Sequence, residues 1–233
     1  MRMRANCKRQ VTIDDGCVPV TALVIGMMDN NCFIVADGRE QGAPAMVVDP
    51  AGDAEAIQKA LGWFKLETIV CTHDHNDHLV ALPELAAATG AKVISSNADS
   101  RIIEKGQPGY FGDWDAVAPV HVDRKVNDGD TIKLGSLEFR VMLTPGHTKG
   151  GICLYLPGFD GKPGVVFTGD TLFRGSCGRT DLPGGDTETE LRSVKKLCML
   201  PGDYEVYPGH MDSSTLERER RFNHYCREAM ANF

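Results

Sequence analysis

LETIVCTHDHNDHLVALPELAAATG, residues 66–90, sets an apolar run, a polar cluster and an amphipathic segment end to end. The run at 66–72 predicts a buried strand. From His78 onward the apolar residues predict a helix, closed by Gly90 at its C-terminal end. Between the two, THDHNDH concentrates three of the chain's seven histidines within six positions. In an extended chain successive side chains alternate faces, so His73, His75 and Asp77 point one way and can converge. His78 departs in another direction as the chain turns into the helix. The segment can thereby feed two adjacent metal ions, His73 and His75 on one, Asp77 and His78 on the other.

Outward from this segment, the N-terminal part reads as strands at 20–26, 31–37 and 43–50, each a short apolar run ended by Gly, Asp or Pro. A helix follows at 52–64, with Asp53 as its N-cap and Ala56, Ile57, Ala60, Leu61 and Phe64 at helical spacing. A further strand is expected at 91–96. The strand-then-helix pattern recurs: strands at 130–135, 137–144, 151–157 and 164–170, a helix at 187–200, a strand at 205–210 and a terminal helix from about Ser214. Two such halves predict an α/β fold, an αββα sandwich with its chemistry at strand ends, in a single domain over 1–233. Residues 97–123, with Tyr110, Phe111 and Trp114, lack periodicity and read as a loop or short helices over the site.

Four residues cannot complete two metal sites. LTPGHTKGG (143–151), VVFTGDTLF (165–173) and VYPGH (206–210) each place a His or Asp after an apolar strand, inside a Gly-rich turn. His147 and His210 each offer a nitrogen, and the two oxygens of Asp170 can bridge both ions. Two cations a few Å apart lower the pKa of a shared water and polarise the oxygen under attack, which implies hydrolysis of an ester, thioester, amide, lactone or phosphodiester. Asp77 and Asp170 are the expected catalytic carboxylates, since each can ligate metal and accept a hydrogen bond from the water. No Ser or Cys nucleophile is then needed. Cys177, in RGSCGR, is read as a passive thiol, with ligand or nucleophile as the alternative. His121 and His224 stand apart from these motifs and read as structural or exposed.

Composition sets limits. A formal net charge of −7 gives no overall attraction for nucleic acid. Arg218, Arg220 and Arg221 alternate with Glu217 and Glu219, as on a solvated helix face. No run of eighteen apolar residues occurs, and no signal-peptide core follows MRMRANCKRQ, so no membrane partner and a cytoplasmic location are expected. The eight cysteines are scattered without CxxC and are expected as buried thiols rather than bridges.

With these motifs in order, the chain resembles the metallo-β-lactamase superfamily over nearly its whole length. The signature H-x-H-x-D-H stands as HDHNDH, followed by PGHT at 145–148, GD at 169–170 and PGH at 208–210. The resemblance implies His73, His75 and His147 on one metal and Asp77, His78 and His210 on a second, bridged by Asp170, with two divalent ions, zinc first and iron or manganese compatible. Within the superfamily, TGDTLFRGSCGRTDLPGG (168–185) resembles the short bacterial relatives of glyoxalase II, the hydroxyacylglutathione hydrolases. That resemblance implies a thioesterase acting on S-acylglutathione or a similar thioester, with Arg179 contacting a glutathione carboxylate. Asp181 and Asp212 depart from it, standing where typical glyoxalase II enzymes carry glutathione-contacting tyrosines, and the long C-terminal helical domain is largely absent. The alternatives are a sulfur dioxygenase with a single iron and a lactonase-type hydrolase.

Overall fold

The computed structural model describes residues 7–233. The first sheet runs in sequence order: β1 (Arg9–Ile13), β2 (Val20–Ile25), β3 (Asn30–Ala36), β4 (Pro44–Val48), β5 (Lys65–Val70), β6 (Lys92–Ser96) and β7 (Arg124–Val126). β1 to β4 pair antiparallel, and β4 to β7 pair parallel. Helices α1 (Ala54–Leu61) and α2 (Leu82–Thr89) make the parallel connections, and α3 (Ser100–Lys105) precedes β7. The second sheet holds β8 (Thr131–Leu134), β9 (Leu137–Leu143), β10 (Ile152–Leu156), β11 (Gly164–Gly169), β14 (Tyr204–Pro208) and β15 (Ser214–Thr215), ordered β15-β14-β11-β10-β9-β8. A small hairpin, β12 (Leu172–Phe173) and β13 (Ser176–Cys177), follows β11. The chain ends in α4 (Thr187–Cys198), α5 (Leu216–Phe222) and α6 (His224–Asn232).

Side-chain alternation sorts the residues into layers. Along β3, Phe33 and Val35 face the second sheet, while Cys32 and Ile34 face the helices. Phe33 meets Phe167 and Tyr207 across the sheets, each at 5.4 Å between ring centroids. Ile57, Leu61, Leu82 and Leu85 cover the outer face of the first sheet, and Leu191, Val194 and Leu197 that of the second. The expected αββα sandwich is thereby observed, and its apolar cores hold both sheets rigid where their strands end at the site. Asp53 caps α1 by accepting from the Glu55 amide at 2.9 Å, and Gly90 closes α2 in the left-handed region at φ 66°.

Several details differ from the sequence reading. The second helix begins only at Leu82, because residues 76–78 form a separate 3-10 turn. The terminal helix is two: Asn223 is extended, and its side chain accepts from the Tyr225 amide to start α6. The basic cluster is not simply solvated. Glu219 is fully buried and accepts from the Gly175 amide and Asn223 Nδ2, while Arg220 donates to the carbonyls of Cys198, Leu200 and Gly202, satisfying the end of α4. All eight cysteines are free, five of them buried. Among the described residues, no helix is long and apolar enough to cross a membrane.

Candidate metal centre

The loops after β4, β5, β9, β11 and β14 meet at one edge of the two sheets, and they bring together all seven expected side chains. His73, His75 and His147 form one set of donors, and Asp77, His78 and His210 a second, with the donor atoms of each set within 4.8 Å of one another. The segment 73–78 is not extended throughout. The 3-10 turn at Asn76–His78 rotates Asp77 away from His73 and His75 and delivers it, with His78, to the second set. Asp170 stands between the sets. Its Oδ2 lies 3.5 Å from both His147 Nε2 and His210 Nε2, and its Oδ1 lies 3.5 Å from His78 Nε2.

Glycine makes this proximity possible at two positions. A Cβ on Gly209 would collide with Asp170 and the His78 ring, and one on Gly169, at φ 47°, would strike Thr72. The Gly of PGH and the Gly of GD thus let two strand ends close on each other.

Outer hydrogen bonds fix which nitrogen faces inward for four of the five imidazoles, while His75 Nδ1 meets His147 Nε2 within the centre at 2.9 Å. His147 Nδ1 donates to Arg179 O at 2.7 Å, His78 Nδ1 to Asp49 at 3.2 Å and His210 Nδ1 to Met28 O at 3.2 Å. Thr72 Oγ1 donates to Asp49 at 2.7 Å, so it accepts from His73 Nδ1 at 3.0 Å. Each of these four rings, when neutral, turns its other nitrogen and its lone pair toward the centre. At His78 burial is outweighed by the Asp170, Asp77 and Asp49 carboxylates, which raise the imidazole to about 10, so a bound cation would take the place of a proton there. His78 Nε2 and His210 Nε2 face each other at 3.2 Å, an arrangement that calls for a cation between them. His73 Nε2 and Asp170 Oδ1 are buried without any hydrogen-bond partner, and leaving such an atom unpaired costs about 1–3 kcal/mol. Burial, then the neighbouring imidazoles, holds His73 well below its ordinary pKa and His75 at about 4, the unprotonated form that coordinates. This donor set fits divalent cations, and nitrogen and carboxylate together suit zinc, iron and manganese.

Asp49 is a supporting residue that the sequence reading missed. It ends β4 in the left-handed region at φ 53°, and its carboxylate accepts from Thr72 N and Thr72 Oγ1 as well as His78. It also forms a third candidate donor group with His73 and His78, but with hydrogen bonds on both oxygens its contribution here is to orient those two ligands. The signal was present, since an apolar strand ending in Asp is the pattern that singled out Asp170. Asn30 was missed likewise, and it donates to Asp77 Oδ2 at 2.7 Å.

The centre opens into a cleft of about 1060 Å³. Residues 107–116 form one wall. Asn76 Nδ2 holds Pro108 O at 2.6 Å, and the Asp115 carboxylate gathers the amides of Tyr110 and Phe111. The expected loop over the site is thus a folded rim, with α3 and a 3-10 turn at Asp113–Asp115. Arg179 lines the cleft, but its guanidinium is bound through two contacts of 2.7 and 2.8 Å to Asp181. Cys177 also lines the cleft. It belongs to neither donor set, and burial pushes its thiol up to about 12, as suits a passive residue. His121 and His224 lie exposed and away from the centre, as expected.

Comparison with known proteins agrees with this geometry. Residues 25–210 match the model of the metallo-beta-lactamase superfamily. An uncharacterized protein of Aquifex aeolicus is 37% identical, the match covering 91% of this chain and 98% of the relative. Hydroxyacylglutathione hydrolase GloC of Haemophilus influenzae is 34% identical over 88% of this chain and 94% of the relative. Among solved structures, BLEG-1 B3 metallo-beta-lactamase superposes with a TM-score of 0.75 at 27% identity, covering 89% of this chain and 99% of that one. TTHA1623 in a di-iron-bound form superposes with a TM-score of 0.72 at 30% identity, covering 88% and 98%.

Proposed function

The chain belongs to the metallo-beta-lactamase superfamily, and from that premise we propose that it is a dinuclear metal-dependent thioester hydrolase of the glyoxalase II kind, acting on S-acylglutathione or a similar thioester. The observation that carries the reading is the pair of three-donor sets with Asp170 within 3.5 Å of imidazoles from both. The resemblance to GloC supports the thioester.

In this proposal His73, His75 and His147 would hold one ion and Asp77, His78 and His210 the other, with Asp170 placed to serve both. Bound divalent ions, zinc or iron, would supply an acidified water and a polarised carbonyl. The protein's own residues do the rest. Asp77 and Asp170 accept hydrogen bonds from the attacking water and fix its approach. Asp49, Thr72, Asn30 and the carbonyls of Arg179 and Met28 hold the ligands in one orientation. Water adds to the thioester carbonyl, the C–S bond breaks, and the thiol leaves with a proton. The acidic cleft favours a small molecule over nucleic acid, and eight unbridged thiols suit a reducing, cytoplasmic setting.

A panel of thioesters, lactones and β-lactams, presented to metal-loaded protein, tests the reading. Thiol release outpacing ring opening is expected. Faster lactone or β-lactam opening would contradict it, as would oxygen uptake with glutathione persulfide in place of thiol release.

A further inference from the structure

The cleft beside the metal centre has a definite chemical character. Met27 and Met28 from the turn after β2, and Met211 after β14, stand 50–55% exposed. Facing the same cavity, Phe111 and Trp114 stack at 6.2 Å with an interplanar angle of 11°. Methionine thioethers adapt their shape to an apolar guest, and flat aromatic faces suit an extended chain. The backbones behind these side chains are fixed: Met211 O accepts from Asn31 at 2.7 Å, Met28 O from His210, and the Phe111 amide is held by Asp115. Large apolar side chains held exposed at a catalytic opening mark a binding surface.

The charges are one-sided. Among the described residues lining the cleft, Arg179 is the one lysine or arginine, while Asp53, Glu84, Asp113 and Asp115 add carboxylates beyond those of the metal set. Arg179 is matched by Asp181 through both guanidinium contacts. Whatever the strength of that exposed pair, Asp181 sets a compensating negative charge beside the cation. Away from the metal centre itself, no net positive charge is left in the cleft to receive a free carboxylate, and the remaining walls repel one.

From these observations we infer that the cleft takes a thioester of a linear apolar acyl chain on an uncharged thiol, and that Asp181 is the residue that discriminates against anionic thiols. This rests on the thioesterase reading and, of the two thiols that reading leaves open, takes an uncharged one in place of glutathione. The acyl chain lies along the methionine and aromatic walls. Hydrolysis adds water across the C–S bond and releases the free acid and the neutral thiol.

The test pairs turnover with binding. Metal-loaded protein is given acetyl and octanoyl thioesters of N-acetylcysteamine, and the octanoyl thioester of glutathione. We expect kcat/KM to rise about tenfold or more from acetyl to octanoyl, a modest share of what burying six methylenes can supply. The neutral octanoyl thioester should exceed the glutathione one by about tenfold at low salt, with the ratio shrinking as salt screens the walls. Asp181→Asn should move that ratio toward glutathione by about fivefold or more, by uncovering the charge of Arg179. Calorimetry with the uncleavable S-octyl thioethers of both thiols gives a second reading independent of chemistry, and the neutral thioether should bind more tightly. Absence of turnover on every thioester would count against the hydrolase reading, and the thioether affinities would still judge the inference. Tighter binding of S-octylglutathione overturns it, as does an unchanged ratio in Asp181→Asn or indifference to acyl length.

Discussion

The floor and the rim of the cleft are built on opposite principles. On the floor, His73 is 2% exposed, His78 is fully buried and Asp170 is 9% exposed, and each imidazole is oriented by a partner behind it. On the rim, Met211 and Phe111 are 55% and 62% exposed, held by backbone hydrogen bonds at Met211 O and the Phe111 amide. Buried polar atoms have few ways to be satisfied, so the floor admits one arrangement. Exposed apolar side chains can rotate around different guests. On the reading proposed above, metal binding and chemistry belong to the hydrogen-bonded floor and the fit of the acyl chain to the apolar rim.

The comparison is broken most forcefully from behind the floor. Asp49→Ala leaves the Thr72 amide and His78 Nδ1 without their acceptor, though neither residue of that pair is removed. Metal affinity is expected to fall about 10–100-fold, the usual consequence of losing a ligand's outer partner, as read by competition with a chelator. Asp49→Asn, which tolerates the same left-handed backbone, should recover part of the loss. Affinity unchanged in Asp49→Ala would mean that the outer hydrogen bonds do not hold the ligands. A smaller effect is expected at the rim. Trp114→Ala should keep full metal content and raise KM for a long-chain thioester about two- to tenfold with little change in kcat, as for a contact made equally in ground and transition states. Loss of metal from that variant would erase the distinction between floor and rim.

The same division explains what could be read in the sequence. The sandwich was legible because short apolar strands such as β3 and β4, buried on both faces, and the amphipathic α1 follow local rules that the tertiary structure did not override. All seven metal-centre candidates were legible because THDHNDH clusters four of them after one apolar strand, and each of the other three, His147, Asp170 and His210, follows an apolar strand inside a Gly-rich turn. The 3-10 turn at Asn76–His78 was not, since NDH has no periodicity of its own and its geometry is set by the convergence of ligands. Glu219 read as a helix-surface charge, yet it is fully buried, and Glu190 on α4 is 1% exposed. Burial pushes the Glu190 carboxyl up to about 9, with Asp170 adding to the shift, so it stays neutral beneath the His147 loop. Helical spacing cannot announce a carboxyl of that kind, because its position depends on which loops lie over the helix. The rim was legible only as a segment lacking pattern, since aromatics in a loop do not state which cavity they face.

The central claim is that Asp170 joins two metal sites into one centre. Metal content per chain, measured on protein purified without added metal and again after reconstitution, tests it directly when the wild type is set beside Asp170→Ala. Two ions per chain in the wild type and loss of most metal from both positions together in the variant are predicted. A single ion per wild-type chain after reconstitution, or two ions retained by Asp170→Ala, would contradict it.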